Sequence, residues 1–116
     1  MIRSDREVLV AEEQRRLAAI LAADAAGFSR LMAADEAGTL ERLGRVMEEI
    51  VAPAIARFGG KIVGSAGDSF MAEFASALNA VRCAAEIQAA VASAEAARPP
   101  AERMPCVVHA PRRMIT

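Results

Sequence analysis

Two aspartates carry the chemistry that this sequence can offer. Asp24 ends the apolar run AAILAAD and is followed at once by Ala25-Ala26-Gly27-Phe28-Ser29, and Asp68 sits inside KIVGSAGDSFMAEF. Carboxylates drawn from two separate segments, beside a helix start that follows a glycine, are what a site for a divalent ion and a polyphosphate requires. Mg²⁺ and Mn²⁺ take hard oxygen ligands and share a nucleotide's phosphates as further ligands. Gly27 lets the backbone approach an anion, and the N–H groups of residues 25–29 are placed to meet it. Each acid also has an ordinary structural use: Asp24 can cap the helix that follows, and Asp68, next to Gly67, can serve a tight turn. Residue types and spacing leave both uses open.

The other reactive side chains form no comparable set. Cys83 and Cys106 are far apart and outside any metal-ligand spacing. Cys83 falls in a helical pattern as a small buried hydrophobe, and a reduced, cytoplasmic setting fits both thiols. His109, the one histidine, reads as a surface residue, and Arg112-Arg113 as a solvated basic tail. With 14 basic against 15 acidic residues the net charge is -1, so there is no basic footprint for nucleic acid. Aromatic residues make up 3%, with neither Trp nor Tyr, which removes stacking platforms for bases. No charge-free apolar stretch reaches the roughly 18 residues of a membrane span, and MIRSDREVLVAEEQRR lacks the apolar centre of a signal peptide. A chain of 116 residues is one domain with a sizeable core.

The elements that must position the two acids follow from periodicity. Residues 4–16 read as a charged helix opened by a capping box, Ser4 with Glu7, which makes residues 1–16 an N-terminal helical extension. Leu17 to Ala23 has strand length and ends at Asp24, although its alanines leave a helix as the alternative. From about Phe28 to Arg57 one amphipathic helix is predicted. Leu40, Leu43, Met47, Ile50, Ala54 and Phe58 form its apolar face, with Glu41, Arg42, Arg45, Glu48 and Glu49 opposite; it bends at Pro53 and stops before Gly59-Gly60. The runs on either side of Gly67-Asp68 predict a hairpin with an acid at its tip. Ala77, Val81, Ala84, Ile87 or Gln88, and Val91 mark a second amphipathic helix, Arg98-Pro99-Pro100 a linker, and Met104 to His109 a last strand.

Strand, helix, strand, strand, helix, strand is the order of an α+β, ferredoxin-like (split βαβ) sheet with helices on one face. In that arrangement the first strand lies between the third and fourth and runs parallel to the second. Its C-terminal end and the hairpin tip then emerge on one edge, and Asp24 and Asp68 converge.

The sequence resembles the class III nucleotidyl cyclases, the adenylate and guanylate cyclase family. RRLAAILAADAAGFSRLM is similar to that family's first strand with its Asp-x-x-Gly-[Phe/Tyr]-[Ser/Thr] motif, and DEAGTLERL, FGGKIVGSAGDSFMAEF and ALNAVRCAAEIQ follow in the family's order, over roughly residues 15–95. The cyclase-like part is residues 17–97, and residues 98–116 are linker, partial strand and divergent tail. The resemblance implies a nucleotide cyclase-like fold. It also implies that Asp24 and Asp68 hold Mg²⁺ or Mn²⁺, two ions in the family, with Ala25 contacting metal through its carbonyl. Ala26, Gly27, Phe28 and Ser29 then cradle phosphate, and Gly67 belongs to the nucleotide-binding set. The implied substrate is a nucleoside triphosphate, ATP by default with GTP possible, cyclised by attack of the ribose 3′ oxygen on the α-phosphate.

Two departures from the family pattern matter. Where the family carries a purine-reading Lys or Glu, four residues before the hairpin aspartate, this chain has Gly64; Lys61, three residues away, is expected on the opposite strand face. Residues 105–116 do not resemble the family's continuation, so no transition-state Asn or Arg is identified and no catalytic residue is assigned. Family sites form between two protomers, which implies a homodimer or pairing with another cyclase chain. The expected activity of this chain alone is weak or nil; the competing expectation is a non-catalytic, self-associating or cyclase-partnering module. A diguanylate cyclase reading fails on AGDSF, where Ser69 replaces the second acid of that hairpin.

Overall fold

Leu17–Ala25 is a strand, β1, despite its alanine content. The reason is tertiary: β1 lies between two other strands and beneath a helix, where small side chains allow close packing. The structure, a computed structural model, describes the backbone of residues 17–115 and the side chains of residues 18–109. The helical extension expected for residues 1–16 falls outside the described residues.

After β1 come α1 (Phe28–Ala34), α2 (Glu36–Val46), a π-helical turn (Met47–Val51) and α3 (Ala52–Arg57). The hairpin strands β2 (Lys61–Ala66) and β3 (Ser69–Phe74), the helix α4 (Ala77–Glu95), a 3-10 turn (Pro100–Glu102) and β4 (Cys106–Ile115) complete the chain. The sheet order is β2-β3-β1-β4 with every neighbouring pair antiparallel, the ferredoxin-like arrangement that the element order predicts. β4 runs to Ile115, beyond the His109 limit expected, with Arg112 and Arg113 paired in register to Ile20 and Ala19. No helix among the described residues is long and apolar enough to cross a membrane.

β3 alternates between buried and exposed residues, and β1, buried at each position from Ala18 to Leu21, supplies the facing side of the core. Ala19, Leu21 and Ala23 of β1 stand opposite Phe74, Ala72 and Phe70 of β3. All six are buried, together with Val51, Ile55, Ala80, Cys83, Ile87 and Val91 of the helical layer. Burial pushes the Cys83 thiol up to about 11, with Glu86 adding to the rise.

The single helix predicted over 28–57 is broken, and each break has a local cause. Asp35 leaves helical geometry (φ -157°, ψ 89°), and its carboxylate accepts from the Gly38 N–H at 3.1 Å, capping α2. A Cβ on residue 38 would stand 2.2 Å from that carboxylate, so any other residue would have to displace the cap. The break brings Thr39 into the core, its hydroxyl donating to the Leu31 carbonyl at 3.0 Å, and leaves Leu40 47% exposed rather than on the apolar face. At the second break Pro53 has no N–H to offer the helix, and the strain is taken up one turn earlier, where the Ala52 N–H reaches back to the Met47 carbonyl. The helix then ends as expected at Phe58: Gly59 adopts φ 74°, and the Gly60 N–H bonds the Ile55 carbonyl at 2.9 Å.

Two expectations for the helices are corrected. On α4 the buried stripe is Ala80, Cys83, Ala84, Ile87 and Val91, whereas Val81 is 52% exposed, because the side facing the sheet holds small residues that let the helix sit close. Arg42, expected on the solvent face, is half-buried against the buried Glu95, with Nη2 2.7 Å from Oε2. Glu95 also accepts from the Met104 N–H at 3.3 Å and stands 3.4 Å from Arg98. Arg42 donates to the Glu102 carbonyl as well, at 2.8 Å. The segment read as a linker is therefore pinned to α2 and α4 by one buried carboxylate.

Removing that carboxylate leaves a half-buried guanidinium with only the Glu102 carbonyl as partner, so Glu95→Ala should lower unfolding stability by about 1–3 kcal/mol, read from urea midpoints. Cys83 should resist a thiol reagent at pH 8 in the folded chain and react once urea unfolds it, because the thiolate is the reactive form.

Candidate functional site

The side of β1 that does not face the core ends at Asp24. Ala19, Leu21 and Ala23 point into the helical layer, so strand parity sends Ala22 and Asp24 to the opposite face. Across β3 lies the hairpin tip, a two-residue turn in which Gly67 takes φ 57° and Asp68 follows. The Asp68 Oδ2 accepts a hydrogen bond from the Ala25 N–H at 3.1 Å. A bond across 43 residues thus fixes the hairpin acid to the residue after Asp24, and the convergence expected from topology is present.

Across the other edge, β4 pairs with β1 in a register that sets Val107 opposite Asp24 and His109 opposite Ala22. The His109 Nε2 lies 3.2 Å from the Asp24 Oδ2. Sequence reasoning set His109 aside as a surface residue. Its side chain is indeed 61% exposed, but strand pairing directs it to the candidate site. The only signal in the sequence is parity: Val107 and His109 share a face of β4, and finding it requires the β1–β4 register.

The main-chain groups expected to meet an anion divide. The Ala25 N–H is taken by Asp68, and the Ala26 N–H donates to the Pro105 carbonyl at 2.9 Å, so neither is free for phosphate. Gly27 caps α1 with φ 74° and ψ 11° and no side-chain partner. The first-turn N–H groups of α1, at Phe28 and Ser29, precede any residue whose carbonyl could accept from them within the helix. Arg30 was missed in the sequence. Its guanidinium folds back over the turn, where a Cβ on Gly27 would lie 3.1 Å from Nη2, and it donates to the Ala101 carbonyl at 2.7 Å.

A small cavity of about 30 Å³ lies behind the acids, lined by Asp24, Ala25, Asp68, Met47, Phe70 and Cys106 among others. It is water-sized and cannot take a nucleotide, so any nucleotide must lie on the open side of the carboxylates. Burial pushes the Cys106 thiol up, and the charge of Asp24 adds to the rise, so this sulfur stays protonated near neutral pH.

Lys61 departs from expectation. β2 carries a bulge between Ile62 and Gly64, and the register sets Lys61 opposite Glu73 and Gly64 opposite Met71. Glu73 and Met71 share one face of β3, so Lys61 and Gly64 share a face too; the extra residue reverses the parity that a regular strand would impose.

Among the described residues no group of three or more His, Cys, Asp or Glu side chains is arranged to hold a metal ion. The donor set nevertheless fits a hard divalent ion of the kind that takes one or two carboxylates and draws its other ligands from water and phosphate.

Comparison with known proteins points to one family. No protein-family model matches the chain. A Rhizobium meliloti (strain 1021) protein with the provisional name adenylate cyclase 3 is 48% identical over 81 residues, covering 70% of this chain and 14% of that protein. Among solved structures, the adenylate/guanylate cyclase/hydrolase from Silicibacter pomeroyi superposes with a TM-score of 0.79 at 44% identity, covering 87% of this chain and 58% of that one. The guanylyl cyclase Cya2 has the same fold, with a TM-score of 0.72 at 21% identity over 87% of this chain and 56% of its own. The chain therefore spans little more than half of the solved domains and a small part of the curated relative. By sequence and by fold it belongs to the adenylate/guanylate cyclase family, of whose catalytic domain it carries a part.

Proposed function

We propose that this domain holds a divalent cation and a nucleoside triphosphate at Asp24 and Asp68, as one half of a nucleotide cyclase site. The observation that carries the reading is the bond from the Ala25 N–H to the Asp68 carboxylate, because it holds the hairpin acid against the residue that follows Asp24 at the end of β1. Asp24, Asp68 and the Ala25 carbonyl would hold Mg²⁺ or Mn²⁺. Bound there, the ions would activate the ribose 3′ oxygen and neutralise the pyrophosphate leaving group.

The chain's own residues would then bind and orient. Gly27, Phe28 and Ser29 keep the phosphate role expected of them, with Arg30 supplying positive charge beside the turn. Ala26 acts only as part of the turn, since its N–H is engaged elsewhere. Gly67 sets the hairpin so that Asp68 can reach across. Gly64 has no side chain to read a purine, which leaves ATP as the default substrate and GTP as the alternative. The groups that stabilise the transition state, and a residue to read the base, would come from another cyclase chain, since a second copy of this one would bring Gly64 and the same residues again. Alone, turnover would be weak or nil, since a charge clamp on a transferring phosphoryl group is worth roughly 10³ or more in rate.

A second reading, a self-associating or cyclase-partnering module without turnover, is favoured by apolar exposure. Met71 and Val107 are 42% and 40% exposed and stand opposite Ala22 and Asp24 on the strands flanking β1. A strict monomer by size-exclusion light scattering, at concentrations up to the millimolar range, would remove it.

The central test measures binding of ATP and GTP in Mn²⁺, and formation of cyclic AMP and cyclic GMP, in the wild type beside Asp24→Asn and Asp68→Asn. Losing an outer partner of a metal ligand alone costs roughly 10–100-fold in metal affinity, so each variant should weaken Mn²⁺-nucleotide binding at least tenfold. Unchanged affinity in both would return the acids to cap and turn duty. Asp68→Ala should also destabilise the fold by about 1–3 kcal/mol, since it leaves the Ala25 N–H without its acceptor. Asp68→Asn, which keeps an acceptor oxygen, should melt close to the wild type, and the two melting curves test the bond directly.

A further inference from the structure

A second and larger cavity, about 150 Å³, opens between the C-terminal ends of α2 and α4, and neither Asp24 nor Asp68 lines it. We propose that this cleft is an oxyanion site, taking phosphate, free or as the monoester of a small molecule, on the guanidinium groups of Arg42, Arg45 and Arg98. The proposal stands independently of the nucleotide reading.

Placement follows from helical spacing. Arg42 and Arg45 lie three residues apart on α2, so they are neighbours on one side of that helix, and Glu49 follows four residues after Arg45 in the π-turn. Arg98 comes three residues after Glu95, just past the end of α4. The Arg42 to Glu95 contact of 2.7 Å draws the two helix ends together, and the cleft lies beside it, with Ile50 in its wall. Its 150 Å³ is well above the roughly 10–15 Å³ that one water needs, so a group of several heavy atoms fits.

Donors exceed acceptors in the lining. Three guanidinium groups stand there with two carboxylates, Glu49 and Glu95, and each guanidinium brings five N–H groups. Glu95 is already engaged: its Oε2 lies 2.7 Å from Arg42 and 3.4 Å from Arg98, and accepts from the Met104 N–H at 3.3 Å. Arg45 stands 3.6 Å from Glu41, too far for a hydrogen bond. Within Arg42, Nη2 donates to Glu95 and to the Glu102 carbonyl, whereas Nε is buried without a partner. Buried donors are almost always satisfied in folded proteins, so this one marks a place for an acceptor.

Phosphate meets these requirements. Its oxygens match the planar fork of a guanidinium, and its charge offsets the positive excess of the lining. A cation would meet that excess as repulsion. The side chains of Arg45 and Arg98 are 57% and 39% exposed, so the anion can enter from solvent without opening the core.

The test titrates inorganic phosphate into the full chain at constant ionic strength, without nucleotide or divalent metal, and follows the arginine Nε–H signals by NMR. The Arg42 signal should shift and saturate. Arg45→Gln and Arg98→Gln should each weaken binding about threefold and the double variant about tenfold. Glu49→Gln, which removes a competing carboxylate, should tighten it. None of the three positions belongs to the core, and urea midpoints check the fold of each variant. Asp24→Asn and Arg30→Gln should leave the titration unchanged, which separates this cleft from the turn that follows β1. Glycerol phosphate distinguishes the two sources: binding as tight as that of inorganic phosphate assigns the cleft to a monoester, and weaker binding assigns it to the free ion.

An Arg42 signal that does not move, or phosphate binding that survives in the double variant, would overturn the proposal. So would a loss of binding in Arg30→Gln, which would place the phosphate at the other turn. A shift reproduced by the same concentration of chloride would reduce the effect to general screening and overturn it as well.

Discussion

Everything at the exposed end of the sheet depends on the registration of β1 against both of its neighbours. Three side chains of β1 enter the core opposite three of β3, and a slip of one residue would exchange the core set for Ala18, Ile20, Ala22 and Asp24. That exchange would drive a carboxylate into an apolar layer, at a cost of several kcal/mol for burying a charge without a partner. The cost of burying that carboxylate thus fixes the face on which Asp24 stands, and the two antiparallel pairings fix what stands beside it. Asp68 arrives from β3's side and His109 from β4's.

The same constraint explains the unusual economy of the core. A central strand of alanines provides little apolar area, and most of the bulk comes from elsewhere: Phe70 and Phe74 on β3, Leu21, and the aliphatic residues of the π-turn and α4. The neighbours accommodate these rings closely. A Cβ on Gly60 would meet the Phe74 ring at 2.4 Å, so the chain can enter β2 there only as glycine. With so few large side chains, the domain relies on a buried ion pair to hold its C-terminal segment. Such a pair contributes little net energy but penalises every arrangement that breaks it. Glu95 links α2, α4 and the approach to β4, and in doing so sets where β4, and with it His109, begins.

Much of this was legible in the sequence wherever one local rule decided the outcome. The Gly-Asp hairpin, the end of the long helix at Phe58 and the two converging aspartates all follow from turn chemistry, capping and the order of elements. The rest was hidden by competition between rules. Over residues 28–57 a single helix is predicted, and Asp35 shows itself as a cap only in the structure, where it leaves helical geometry and accepts from the Gly38 N–H. Lys61 was misplaced because parity was counted along a regular strand, while the bulge at Val63 carries no mark of its own in the sequence. Arg42 and Glu95 are 53 positions apart, and each looks like an ordinary surface charge until α2 and α4 are packed together. His109 belongs with them: its importance lies entirely in a pairing between the two ends of the described chain.

The distribution of main-chain donors around the turn sets how charge at the site would have to be balanced. A longer cradle was expected, running from Ala25 to Ser29, but its first two N–H groups are spent on Asp68 and Pro105. Spending them stiffens the turn, since Ala25 is tied to the hairpin tip and Ala26 to the approach to β4. What remains for a triphosphate is the start of a seven-residue helix and one arginine, and the Arg30 guanidinium already donates to the Ala101 carbonyl. Backbone dipoles of so short a helix offset only a fraction of one charge, whereas a triphosphate carries several. In the proposed site most of the neutralisation would therefore come from cations, and the carboxylates holding them would be its determining groups. A substitution that removed either carboxylate would therefore act on the dominant electrostatic contribution rather than on a peripheral one.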